Sequence, residues 1–140
     1  MKKTLFLLFV FFITASPGFS YEGTPKEQTE SFFNELLSGK IAEAVDNLYS
    51  SNTLMGQKIQ QLEALKQQIA MLDKLYGKAL GHEYYCVEKK TDSVVRIAAV
   101  FKYEFHPVVW EFYFYKPSKK WIISQGVFND QFELLSSSDD

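Results

Sequence analysis

Hydrophobic and polar positions alternate most regularly in residues 94–128, VVRIAAVFKYEFHPVVWEFYFYKPSKKWIISQGVF. In the first half the odd positions are Val95, Ile97, Ala99, Phe101, Tyr103 and Phe105, while the even ones include Arg96, Lys102 and Glu104. A period of two predicts a strand with its odd face on the core. His106-Pro107 interrupts it, because proline cannot donate to a ladder. The next strand places Val108, Trp110, Phe112 and Phe114 inside, with Val109, Glu111, Tyr113 and Tyr115 outside. Residues 117–120 form a polar turn, and residues 121–128 a last strand with apolar residues on both faces. Upstream, residues 82–90 read as a first strand, with residues 91–93 as its turn.

The preceding stretch changes to a period near 3.6. Thr24-Pro25-Lys26-Glu27 offers an N-cap, a proline for the first helical position and a capping-box glutamate. Phe32, Phe33, Leu36 and Leu37 form its apolar stripe, and Gly39 ends it. Ile41, Ala44, Val45, Leu48 and Tyr49 continue as a second helix, broken by residues 50–53. A third, long helix spans about residues 54–76, with Met55, Ile59, Leu62, Ile69, Leu72 and Tyr76 on its core face; Leu65, Met71 and Leu75 widen the stripe. Gly77 and Gly81 terminate it. An irregular heptad over about three repeats argues against a coiled coil.

Residues 1–20 stand apart. Lys2 and Lys3 precede a nine-residue apolar run at 5–13, then Ser16-Pro17-Gly18 and small residues before position 21. This is the pattern of a cleaved secretory signal, too short for a span of about 20 apolar residues. Residues 21–135 are then one domain, residues 136–140 a disordered tail, and the expected location is periplasmic or secreted, with no stable membrane insertion after cleavage. Loss of Lys2 and Lys3 from 15 basic residues against 17 acidic ones leaves a formal charge of −4. No basic track invites nucleic acid. Cys86 is the only cysteine, so an intrachain disulfide is excluded, and a small buried hydrophobe is its ordinary role.

Three helices followed by four strands predict an α+β fold: helices on one face of a curved antiparallel four-stranded meander. The opening FFNELLSGKIAEAVDNLY and the ending WEFYFYKPSKKWIISQGVFND resemble the NTF2-like, cone-shaped α+β superfamily, and within it small secreted bacterial members without an established function. The resemblance implies a cavity between sheet and long helix. It transfers no activity, since that superfamily holds enzymes, carriers and structural modules.

Candidate chemistry is sparse. Tyr103, Tyr76, Tyr49, Asp46 and Trp110 are the residues placed to reach such a cavity, but no Asp–His–Tyr spacing points to acid–base catalysis. His82 and His106 lie far apart and make no zinc motif. GxGxxG, P-loop, GxSxG and HExxH patterns are missing, so neither a metal nor a cofactor is expected. The outer sheet face is more apolar than a solvated face, with Val100, Val109, Tyr113 and Tyr115 among Arg96 and Glu111. The leading expectation is therefore an exported, non-enzymatic interaction module, homodimeric through that face. A cavity enzyme or carrier for a small apolar ligand, and a periplasmic subunit of an envelope assembly, are the alternatives.

Overall fold

A computed structural model describes residues 22–136; the expected signal segment and residues 137–140 lie outside the described residues. The elements are α1 (Pro25–Leu37), α2 (Ile41–Ser50), α3 (Thr53–Gly56), α4 (Ile59–Tyr76), β1 (Ala79–Thr91), β2 (Val94–Tyr103), β3 (Val108–Tyr115), β4 (Ile122–Asn129) and α5 (Glu133–Ser136). The strands pair antiparallel in the order β1-β2-β3-β4, so this is the α+β meander that the periodicities predict.

Helix α1 begins as its composition dictates. The Thr24 hydroxyl accepts from the Glu27 amide at 3.2 Å, and the Glu27 carboxylate accepts from the Thr24 amide at 2.7 Å. The helix then lays Phe32 and Phe33 against the inner sheet face. Phe32 lies 5.2 Å from Trp110 and 5.6 Å from Phe112, ring centroid to centroid, both edge to face. Phe33 lies 5.5 Å from Phe101 and 5.8 Å from Phe112. Ile97, Ala99, Val108, Phe114 and Ile123 complete that face, and all are buried. Helix α2 packs on α1 and touches β4 through the same core, while α4 rests on α2.

Three expectations are corrected. The long third helix is two helices. Asn52 caps the short α3 by accepting from the amides of Leu54 and Met55, and Lys58, at φ −82° and ψ 60°, breaks the path before α4. Gly56 ends α3, in keeping with the poor helix propensity of glycine. Ile59 consequently leaves the core face and is 68% exposed. Phe105, placed inside by parity, is 80% exposed, because β2 stops at Tyr103. The amides of Glu104 and Phe105 turn instead to the carbonyls of Lys78 and Tyr76 in the α4–β1 connection. Finally, Gly81 does not end a helix: β1 already starts at Ala79, and Gly77, at φ +85°, is the terminator.

The packing makes Phe33 the most connected ring of the core. Phe33→Ala should lower the unfolding free energy by about 3–5 kcal/mol. Leu37→Ala, at the exposed end of the same helix, should cost less than about 1 kcal/mol. Urea midpoints of the two variants check this, and equal shifts would refute the assignment.

Candidate functional site

The space directly under the helices is full. Trp110 is 1% exposed and Phe112 1%, held between α1 and the sheet, so Trp110 is a core residue with a buried Nε1 that has no partner among the described residues. Tyr103 is also buried, with its ring 6.3 Å from that of Tyr76, and burial, followed by the charge of Asp73, raises its hydroxyl pKa. Tyr76 donates its hydroxyl to Asp130, which ties the end of α4 to the segment after β4. Asp46 does not enter any hollow: it is exposed and pairs with Lys66 at 2.8 Å, bridging α2 to α4. Of the five cavity candidates, Tyr49 is the one that lines a hollow formed among the described residues.

The open space lies to the side, between α4 and β4. α4 buries only Leu62, Ile69 and Leu72. Its remaining apolar face, where Met71 is 62% exposed, stands across a gap from the last strand. The gap is a groove of about 720 Å³, with Ala64, Leu65 and Met71 on the helix wall and Val127 and Phe128 on the strand wall. Gln67 and Gln68 are its only side chains on the helix able to hydrogen-bond. A smaller hollow of about 270 Å³ adjoins it, sharing Leu65 and Gly126 and adding Tyr49, Met55, Lys58, Gln61 and Leu62. The seam depends on Gly126. A Cβ there would come within 2.6 Å of the Tyr49 hydroxyl. That hydroxyl donates to the Gly126 carbonyl at 3.5 Å, a long and weak bond, and burial pushes its pKa up to about 12.

The outer sheet face is partly covered. Residues 130–136 cross it, and α5 packs on β3. Arg96, 2% exposed, is the fastening: its Nε donates to Glu111 at 2.7 Å, its Nη1 to the Cys86 sulfur at 3.2 Å and its Nη2 to the Leu134 carbonyl at 3.1 Å. Phe132 stacks on His106 at 6.0 Å. Val109 is fully buried, and Val100 and Tyr113 are half-buried; Tyr115 is 43% exposed. Of the six residues expected on a free face, Val109 and Arg96 are therefore inside, because the C-terminal segment folds over an apolar surface that water would otherwise meet.

One polar cluster had no signature in the sequence. Glu30 on α1 accepts from the Tyr84 hydroxyl at 2.7 Å and lies 3.1 Å from His82 Nε2. His82 packs 4.8 Å from Phe33, and its Nδ1 is buried without a partner among the described residues. The Tyr84 bond holds the Glu30 carboxyl below its usual pKa, whereas burial, then Glu30, raises that of Tyr84. Separations of 52 and 54 residues hide this trio from any local pattern. It borders no hollow large enough for a substrate among those given by the described residues, and it fastens α1 to the edge strand β1.

Among the described residues no group of three or more His, Cys, Asp or Glu side chains is placed to hold a metal, and no helix is long and apolar enough to cross a membrane. No protein-family model, curated protein or solved structure matches this chain.

Two predictions follow from the buried and half-buried charges. Arg96→Met strands Glu111 and should cost about 3 kcal/mol, with faster amide exchange in residues 130–136. Lys102→Met, which breaks an exposed pair with Glu83, should cost less than about 1 kcal/mol. Exchange unchanged by Arg96→Met would show that the C-terminal segment is held by other contacts. For Glu30 the folded pKa lies below the unfolded one, so its contribution is present above the ordinary carboxylate range and disappears as pH falls through the folded value. Stability of the parent should therefore drop between roughly pH 5 and pH 3 more steeply than that of Glu30→Gln, as read from denaturation midpoints.

Proposed function

We propose that the protein is a binding module, and that it carries a small apolar ligand in the groove between α4 and β4. One observation carries this reading: large apolar side chains face each other across an unfilled gap of about 720 Å³. Small-molecule sites usually measure about 300–1,000 Å³ and combine apolar walls with few polar groups. Scattered exposed apolar residues need no explanation, but a two-walled, contiguous set does. The outer sheet face supports a homodimer less well, since its centre lies under residues 130–136. The reading of the fold as NTF2-like is also ours. Helices before an antiparallel meander support it, as does a hollow beside the long helix. Export by the leader at residues 1–20 would place such a carrier in the periplasm or outside the cell.

Nile red, a neutral probe whose emission shifts to the blue in apolar surroundings, tests the groove. The parent should bind it at micromolar concentration. Met71→Glu, at a position 62% exposed and so free to change without unfolding the chain, should weaken binding about tenfold or more at unchanged circular dichroism. A parent that leaves the dye spectrum unaltered, or a variant that binds it equally well, would remove this function.

A further inference from the structure

Both hollows are lined mostly by apolar atoms, and what distinguishes the smaller is one charged side chain. The larger has Leu65, Met71, Val127 and Phe128 as its bulk, with the amides of Gln67 and Gln68 on the helix wall. The smaller, walled by Met55, Leu62 and Leu65, also carries three groups able to donate: the Tyr49 hydroxyl, the Lys58 ammonium and the Gln61 amide. Among the described residues Lys58 is the only charged side chain lining either hollow, and no carboxylate lines them. Among the described residues Lys58 has no ion-pair partner, whereas Lys66 one turn beyond Leu62 is held by Asp46 and Glu63. α4 also starts beside Lys58 without a side-chain cap and without an acidic residue in its first turn, which leaves the positive end of its dipole uncompensated.

From this charge complementarity we infer that the ligand is an anionic amphiphile, of the medium- or long-chain fatty carboxylate class. Its head sits by Tyr49, Lys58 and Gln61, and its chain runs along Leu65 and Met71 toward Phe128. The inference rests on the groove reading above and adds the head group and the orientation to it. Each part of the ligand finds a counterpart. Each methylene buried against the apolar walls gains by leaving water. The carboxylate takes a charge-assisted bond from Lys58 and a bond from Tyr49, whose present contact with Gly126, at 3.5 Å, is long enough to be exchanged at little cost. The chain as a whole is negative, with a formal charge of −2, so its overall field repels an anion. A preference for an anionic head must then come from the local groups.

Displacement of bound Nile red by two ten-carbon amphiphiles, both below their micelle concentrations, separates the possibilities. Decanoate should displace the dye at a concentration at least tenfold lower than decyltrimethylammonium, which has the same tail and a head unable to accept a hydrogen bond. Lys58→Glu should reverse that order, and Lys74→Glu, near the far end of α4, should leave it as it is. Tyr49→Phe should weaken decanoate several-fold and leave decyltrimethylammonium unchanged. Equal displacement by the two amphiphiles, or an order indifferent to Lys58→Glu, would overturn the head-group assignment while the dye itself still reports an apolar groove. Absence of dye binding to the parent would instead sink the groove reading on which the inference stands.

Discussion

The seat of Phe32 and Phe33 on the inner sheet face is the constraint from which the remaining architecture follows. Two adjacent aromatic residues on one helix face are too bulky to share the interface with a ligand. With Trp110, Phe112 and Phe101 they form one buried set of ring contacts on the inner face of the sheet. α1 is thereby fixed on β1 and β2, and α2 follows it through the tight Gly39 turn, at φ +75°. α4 is the first helix to find the core already occupied. It leans on α2, reaches Tyr103 only with its last turn, and leaves much of its own apolar stripe without a partner. The groove is what remains when α1 and α2 take the sheet.

The same reasoning accounts for the other face. A four-stranded sheet covered on one side has a second side to protect, and here the C-terminal segment covers it. The cost is a guanidinium almost out of water. It is tolerable because each of its nitrogens has an acceptor: Glu111, the Cys86 sulfur and the Leu134 carbonyl. Cys86, expected as a small buried hydrophobe, is instead only partly buried and serves as an acceptor for the guanidinium. Tyr76 on Asp130 and His106 under Phe132 guide the segment around the edge of the sheet before Arg96 holds it.

Parity alone located the strands β2 and β3, since each inner residue from Ile97 to Tyr103 and from Val108 to Phe114 is buried. Capping chemistry located α1 to the residue. What could not be read is what depends on competition between elements. The sequence shows that Ile59, Met71 and Leu75 lie near one stripe of α4, but not that Phe32 and Phe33 reach the sheet first and leave that stripe exposed. It shows an apolar outer face, but not that a short segment rich in polar residues folds over it. Asp130, Phe132 and Leu134 each carry one contact there and form no pattern. The Glu30–His82–Tyr84 trio was hidden for a related reason: it joins a helix and an edge strand through residues more than fifty positions apart.

An unfinished core does not by itself explain the groove. α4 already carries Gln60, Gln61, Gln67, Gln68, Lys66 and Lys74, residues of good helix propensity that keep a helix face wet at no expense in folding. A glutamine at 71 would serve the fold as well as methionine does, for that position is 62% exposed, whereas Leu65 is partly buried against the core. Likewise Val127, 37% exposed, sits on the outermost strand, where a polar residue would guard an edge better. Leu65 and Phe128 answer to the core, Phe128 with its ring 4.8 Å from Trp110, but Met71 and Val127, one on each wall of the gap, are apolar where the fold does not ask for it. Opposite them, Gly126 admits the Tyr49 hydroxyl at a distance any side chain would forbid. Packing demands therefore fix the inner face, the C-terminal cover and part of each groove wall, and they leave Met71 and Val127 free. That freedom is what makes their apolar character an argument for a bound molecule rather than for stability.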